Sequence, residues 1–396
     1  MKEKNKKNFK NINFDDFNKT TMEEYFLNKI KNVLDLKNPI TSKESNNSTK
    51  RPLIDIIRKE KYVITYDNFR KMMLIIYRII AKIPVILMGE TGCGKTALII
   101  ILNKLLYNDD EDKNEHLEII NIHPGINDDI LIKKMNNLNQ KAQNMSGDLW
   151  IFFDELNTCD SLALLTEIFV NHSYDGTKLS DNIRIIGACN PYRLLEKGRI
   201  KCGLSHPNDL PDDYVYLVKL LPQSLMYYVF NFGSLDEEDE KLYISSIISE
   251  LFNEKEKTLE KATQDLIFQC HDFLRKTYDK SIVSLRELSR FTKCFKFFMN
   301  DYLKKKEKYL GKKEKVKIIK NNEEENFKKI KSVILSIYIC YYTRLIDEGN
   351  RRFFDGELKN YFLNVIDWNV QGNETDKNEP KLLGFIKNEF FRKKKK

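Results

Sequence analysis

The octapeptide Gly89-Glu90-Thr91-Gly92-Cys93-Gly94-Lys95-Thr96 constrains this chain more than any other stretch. It fits G-x-x-x-x-G-K-[ST] and sits in the setting that pattern requires. An apolar run, Val85–Met88, lies immediately before it, and a helix-forming run, Ala97–Leu106, lies immediately after. The glycines let the loop's backbone N–H groups converge on phosphate oxygens, and the end of the following helix adds positive potential. Lys95 is then placed to reach β- and γ-phosphates, and the Thr96 hydroxyl to ligate magnesium. A glycine-rich turn matching by chance is the alternative, and the flanking strand and helix weigh against it. The candidate nucleotide contacts are Gly89, Glu90, Thr91, Gly92, Cys93, Gly94, Lys95 and Thr96. Cys93 also lies beside a helix N-terminus, where a thiol gains reactivity. A small residue that merely fits is the other reading of it.

Leu149–Phe153 reads as a buried strand, and it ends on Asp154 and Glu155. In a doubly wound sheet, ligands sit beyond the carboxyl ends of the strands. Asp154 would then hold the magnesium shell and Glu155 would polarise an attacking water. A strand followed by a helix-capping acid is the bland alternative. The pair lies roughly sixty residues after Lys95, which leaves room for one crossover and one strand. A third run, Ile183–Ala188, leads to Asn190 ahead of Pro191. If that strand lies between the other two, Asn190 points into the gap between Glu155 and the γ-phosphate and can orient the water. An Asn that simply ends a strand before proline is common.

The wider pattern agrees. Val85–Met88, Leu117–Ile122, Leu149–Phe153, Ile183–Ala188 and Val215–Leu221 are strand candidates, and helices are expected at Gly94–Tyr107, Asp128–Gln143 and Cys159–Val170. Strands alternating with helices imply crossovers and a parallel sheet covered on both faces, a three-layer α/β/α domain. Upstream, Asp67 can cap a helix to about Ala81 that carries Phe69, Met72, Met73, Ile76 and Ile80 at helical spacing. After Pro222 only helices are expected. Ser234 with Glu237, and Ser284 with Glu287, form capping boxes. The first stands ahead of Tyr243–Leu251. The second opens a helix with Leu285, Leu288, Phe291, Phe295 and Phe298 on its inner side. Arg286, Arg290 and Lys293 share that helix's outer face. An Arg from such a lid can meet charge on the γ-phosphate, and a solvated basic face is the competing reading.

Composition narrows the class. Of 396 residues, 41% are hydrophobic and 32% charged, enough for a sizeable core and wrong for a disordered or membranous body. The net charge of +9 is local: Lys304–Lys320 carries nine lysines against two glutamates and Arg392–Lys396 five more basic residues, leaving the rest at −3. With no basic groove or interleaved aromatics, this argues against nucleic acid as a partner. The seven cysteines are odd in number and none stands in C-x-x-C, which fits a reduced cytoplasmic protein and disfavours a zinc ribbon or RING. No signal peptide is visible at the Lys- and Asn-rich start. The longest apolar run, Val333–Tyr342, includes Ser336 and is too short to span a bilayer, so it reads as a helix buried on most sides.

Together these motifs resemble an AAA+ ATPase module, and the text is closer still to the ATPase units of the mysterin family. These are giant RING ubiquitin ligases with dynein-like AAA+ cores. The resemblance covers roughly residues 60–300. It rests on Ile83-Pro84 through Thr96, Phe153–Cys159, Ala188–Arg193, Leu221–Leu225, Phe230–Leu235 and Val283–Glu287. It implies Lys95 and Thr96 as Walker A residues, Asp154 and Glu155 as Walker B, Asn190 as sensor 1 and Arg286 as sensor 2. It further implies ATP with Mg2+, hydrolysis that moves a lid against an unnamed protein client, and neighbouring AAA+ units in cis or in trans. Arg193 or Arg199 would be the arginine finger offered to a neighbour. The family links several units and carries a RING elsewhere. One P-loop and no RING ligand set give no basis for ubiquitin transfer here. The expected organisation is a flexible polar lead over 1–59 and a P-loop domain over 60–225. A helical lid over 226–350 follows, with a basic linker at about 304–325, and then a C-terminal segment over 351–396 with its basic tail. A nucleotide switch with little hydrolysis is the main rival; a degraded Glu155 or Asn190 would mark it, and both are intact. A GTPase would want Asn-Lys-x-Asp, which is absent.

Overall fold

The computed structural model describes residues 53–60, 62–107, 116–194, 215–233, 236–309, 322–345, 347–352 and 354–356, with residues 28 and 30. These divide into two compact units. The first holds those of Met1–Glu90, Gly94–Tyr192 and Tyr216–Ser234, the second those of Thr91–Cys93, Arg193–Val215 and Leu235–Lys396. Most of the polar lead, Arg199, most of the C-terminal segment and its basic tail lie outside the described residues, but the end of the lead, expected to be flexible, is helical over Leu53–Lys59.

The first unit opens with α1 (Leu53–Lys59) and α2 (Tyr66–Ile80). Thr65, not Asp67, caps α2: its backbone is extended and its hydroxyl accepts from the Asn68 N–H at 3.3 Å. Asp67 is already inside the first turn, where a carboxylate is favoured by the helix end, and it pairs with Lys71. The inward stripe is Asn68, Met72, Ile75, Ile76 and Ile79, so the buried face is turned away from the expected Ile80, which is 41% exposed.

The apolar runs become strands: β1 (Val85–Gly89), β2 (Leu117–Asn121) and β3 (Leu149–Asp154). After a small hairpin of β4 (Ser173–Tyr174) and β5 (Thr177–Lys178) come β6 (Ile183–Cys189) and β7 (Val229–Gly233). The main sheet has the order β2-β3-β6-β1-β7 and every pairing is parallel. Its central strands are buried nearly end to end, which is why they read as unbroken apolar runs rather than alternating ones. Helices α3 (Lys95–Tyr107) and α4 (Asp128–Asn144) make two of the crossovers. The result is a three-layer α/β/α P-loop domain.

Two expected elements are different in the fold. Val215–Leu221 forms no strand, beginning in a bend and joining no ladder among the described residues, with Leu217 72% and Leu220 66% exposed. The fifth strand is Val229–Gly233, delivered to the free edge of β1 after Pro222 and the short α6 (Gln223–Met226). An apolar run becomes a strand only where an edge is there to receive it. Cys159–Val170 is likewise not one helix. A 3-10 turn (Leu156–Thr158), α5 (Leu162–Thr166) and a π turn (Glu167–Asn171) follow one another. The irregular path lets Phe169 and Leu156 press onto β6 at Gly187, where a Cβ would stand 3.0 Å from the Phe169 ring and 3.1 Å from the Leu156 methyl.

The second unit is helical: α7 (Glu237–Ser249), α8 (Lys257–Thr277), α9 (Leu285–Tyr309) and α10 (Asn322–Cys340). Asp236 caps α7 through the Asp239 N–H at 2.8 Å, and four acids in the first turn start the helix ahead of Tyr243. Ser234, the expected cap, lies outside the described residues. Half of the Ser284–Glu287 box forms: the Glu287 carboxylate accepts from the Ser284 N–H at 2.8 Å, while Ser284 Oγ accepts from the Arg286 N–H at 3.3 Å and the Glu287 N–H donates to the Ser284 carbonyl. Leu288, Phe291 and Phe295 join Leu266, Ile267, Val333 and Ile337 in one core. Val333–Leu335 and Ile337 are buried on α10, as expected of that run. Of the expected basic linker, Lys304–Tyr309 continue α9, Asn322 opens α10, and residues 310–321 lie outside those described. Among the described residues no helix is long and apolar enough to cross a membrane.

Candidate functional site

The site is built where β1, β3 and β6 end. Beyond Gly89 the chain turns through Gly92 (φ +74) and Gly94 (φ +95), left-handed conformations that cost a residue with a Cβ about 1 kcal/mol or more. Helix α3 then begins at Lys95, only 7% exposed. Taking an ammonium out of water is costly unless oxygens replace the lost hydration. Lys95 Nζ donates to the carbonyls of Gly89 (2.6 Å) and Glu90 (2.9 Å) and lies 3.4 Å from Asn190 Oδ1. The Glu90 carboxylate accepts from the Tyr216 hydroxyl. Thr91 and Cys93 are half-buried in the loop.

The next side chain, Thr96, donates its hydroxyl to Asp154 Oδ2 at 2.7 Å. Asp154 is the last residue of β3, brought there by the buried run Leu149–Phe153, and its other oxygen accepts from the Glu155 N–H at 3.0 Å. Glu155 leaves the strand in a left-handed conformation (φ +57, ψ +38) with its side chain exposed. Strain of that kind in a non-glycine residue costs roughly 1–3 kcal/mol and clusters at functional sites. Asn190 follows the end of β6, and β6 lies between β3 and β1, the arrangement on which its expected place depended. Within the first unit, Lys95 thus meets Asn190 and Thr96 meets Asp154, side chain to side chain, from adjacent positions at the start of α3. Burial pushes the Cys189 thiol beside Asn190 up to about 12, and Lys95 offsets only part of that.

The sequence reading missed Asn157. It is 1% exposed, and its side-chain amide donates to the Asn190 carbonyl at 2.9 Å and approaches the Lys219 carbonyl at 3.4 Å. Its own carbonyl accepts from the Lys219 N–H at 2.8 Å. Asn157 therefore ties the turn after Glu155 to the segment carrying Asn190. Its proximity to Asp154 was the available signal, and a polar residue in a turn gives no hint that it will be buried.

The arginines stand in the second unit. Arg286 is exposed in the first turn of α9, its N–H donating to Ser284 Oγ at 3.3 Å. Arg193 donates to Asp279 at 2.7 Å. Burial raises the Asp279 carboxyl, but hydrogen bonds from Ser281 and the pairing with Arg193 outweigh that and hold it below its usual value.

Residues 62–193 match the family model of the RNF213 AAA domain. The chain carries an AAA+ module that resembles those of mysterin. The E3 ubiquitin-protein ligase RNF213 of Homo sapiens is 30% identical over 322 residues, which is 74% of this chain and 6% of that protein. Its Mus musculus counterpart is 30% identical over 324 residues, with the same shares, and rnf213-beta of Danio rerio is 28% identical over 310 residues, 72% of this chain and 6% of its own. The AAA+ module thus spans a small part of its relatives' length. The solved structure of C. elegans PCH-2 aligns with a TM-score of 0.32 at 17% identity, over 63% of this chain and 60% of that one.

Proposed function

We propose that this chain binds ATP with magnesium and hydrolyses it as one ATPase unit of a larger AAA+ assembly. The observation that carries the reading is the convergence of Lys95, Thr96, Asp154 and Asn190, with Thr96 and Asp154 2.7 Å apart. A hydroxyl and a carboxylate side by side are hard oxygen donors, the set that suits magnesium. Thr96 and Asp154 would hold that ion, which when bound neutralises phosphate charge. Lys95 supplies a fixed positive charge for the β/γ-phosphates. Glu155 accepts the proton of the attacking water, and Asn190 orients that water through its side-chain amide. Asn157 keeps the Asn190 loop at its height above the sheet. Arg286 is the lid residue assigned to the γ-phosphate.

The relatives are named as ubiquitin ligases, and the proposed place of this module is to move such an assembly on ATP turnover, next to other AAA+ units in cis or in trans. Ubiquitin transfer itself is not assigned to this chain. The test is a fluorescent ATP titration of wild type and Lys95→Ala. Loss of a charge-assisted contact should weaken binding by about 1.5–3 kcal/mol. Equal affinities would refute the phosphate-loop assignment.

A further inference from the structure

Two cysteines meet inside the second unit. Cys294 lies along α9 and Cys340 is the last residue of α10, and their sulfurs stand 4.0 Å apart. The helices that carry them share the core residues Phe291, Phe295, Val333 and Ile337, so the sulfurs are held together by packing on both sides. Cys340 is 7% exposed, whereas Cys294 is half-buried. Cys294 is thus the more accessible of the two residues and Cys340 the more buried. That is the arrangement of an attacked thiol and a resolving thiol.

We propose that Cys294 and Cys340 are a redox modification site, forming a reversible disulfide that staples α9 to α10. The oxidant is a small-molecule disulfide of the glutathione type. Cys294 loses its proton to solvent and attacks one sulfur of the glutathione disulfide. That S–S bond breaks and one glutathione thiolate leaves, so Cys294 carries a mixed disulfide. Cys340 then gives up its proton and attacks Cys294 Sγ, forming the Cys294–Cys340 bond and expelling the second glutathione thiolate. Two protein thiols lose two electrons and two protons, and both end on two molecules of glutathione.

The geometry sets the order of the steps. A disulfide needs its sulfurs about 2 Å apart, so the pair must close by roughly another 2 Å, within reach of side-chain rotation and a slight approach of the helices. Burial, and then the neighbouring Cys294, push the Cys340 thiol up to about 12; Arg290 works against this and Glu287 with it. The bond joins residues 46 apart in sequence, so it closes a long loop and constrains the chain across the segment between the two helices. It also fixes the helix whose first turn holds Arg286 and Glu287.

The test uses the full chain, treated with glutathione disulfide, quenched with N-ethylmaleimide and digested for mass spectrometry. The expected result is a cross-linked peptide pair containing Cys294 and Cys340, two hydrogens lighter than the reduced peptides, reversed by dithiothreitol. Cys340→Ala should instead trap glutathione on Cys294. Because a core substitution can unfold the unit, wild type carries a second measurement: the oxidised protein should melt several degrees above the reduced one. Glutathione persisting on wild-type Cys294 with no cross-link would overturn the proposal, and so would maleimide on both thiols after the same exposure. Equal melting of the two forms would refute the staple even if the bond forms.

Discussion

Glu155 and Asn157 stand on one turn and are assigned different parts in the proposed chemistry, which substitutions should separate. Glu155→Gln keeps shape but loses the proton acceptor, so turnover should fall on the order of 10²-fold while ATP affinity holds. Unchanged turnover would remove Glu155 from the chemistry. Asn157→Ala removes the buried donor to the Asn190 carbonyl and leaves Lys95, Thr96 and Asp154 in place. Its effect should fall on kcat, by on the order of 10-fold or more, because misplacing a water-orienting group is costly. If KM rises and kcat does not, Asn157 serves binding instead. Cys93 offers a third test at this scale. Burial raises the thiols of Cys159 and Cys189, whereas Cys93 is half-buried in the loop. Maleimide should label Cys93 well before those two, and ATP should protect it. Cys294, in the second unit, should be indifferent to ATP. Labelling of Cys93 that ignores nucleotide would leave it a small residue that merely fits. The residues proposed to meet phosphate and magnesium were legible in the sequence because loop, lysine and hydroxyl are adjacent in the chain. Asn157 was not, since its partners Asn190 and Lys219 are distant in sequence and met only through the sheet order.

At the scale of elements, four parallel strands and the helices α3 and α4 could be read from apolar runs and their punctuation. The fifth strand could not: Val215–Leu221 and Val229–Gly233 are both apolar, and only the vacant edge of β1 chooses between them. Nor was the polar centre of the helical unit foreseen. Glu240 on α7 receives both guanidinium nitrogens of Arg275 at 2.6 Å and lies 2.7 Å from His271 on α8. His271 Nε2 in turn lies 3.0 Å from the Tyr341 hydroxyl. Burial raises the Glu240 carboxyl, but the hydrogen bonds from His271 and Arg275 together outweigh it and bring it down to about 2 from 4.5. A lowered carboxylate adds stability that is whole above pH 4.5 and is lost as pH falls toward 2. Asp355 runs the other way. Burial lifts it from 3.8 to about 6, against a hydrogen bond from Tyr342, so its contribution is whole below pH 3.8 and is lost as pH rises through 6. These two groups alone place the unit's greatest stability between roughly pH 4 and 5. Hydrogen exchange of α8 peptides across pH 2 to 7 should show it. Glu240→Gln should flatten the acid limb and Asp355→Asn the upper one. An acid limb unchanged in Glu240→Gln would mean the network does not carry the pH dependence.

Considered whole, the sequence offers one G-x-x-x-x-G-K-[ST] loop and, on the proposed reading, one pair of Walker acids in Asp154 and Glu155 and one sensor in Asn190. Yet in P-loop enzymes the remaining charge on a γ-phosphate is commonly met by an Arg from outside, worth 10³–10⁵ in rate. Of the two candidates, Arg193 is engaged with Asp279 inside its own unit, and Arg199 lies outside the described residues. Arg199 is accordingly the one to test in trans. The isolated chain should bind ATP well and turn it over slowly. If copies of it assemble, specific activity should rise with protein concentration. Lys95→Ala mixed with Arg199→Ala should then regain activity that neither has alone, because an intact site forms between an Arg199→Ala copy's P-loop and a Lys95→Ala copy's arginine. If the working neighbour is a different unit, as the 6% share of the relatives' length invites, neither effect should appear and turnover should stay slow at every concentration. Steady-state ATPase over a concentration series, beside light scattering for mass, separates the two. A monomer that is fast at every concentration would contradict both, and would mean that this chain meets the γ-phosphate charge with its own residues, among which Arg286 is the first to replace.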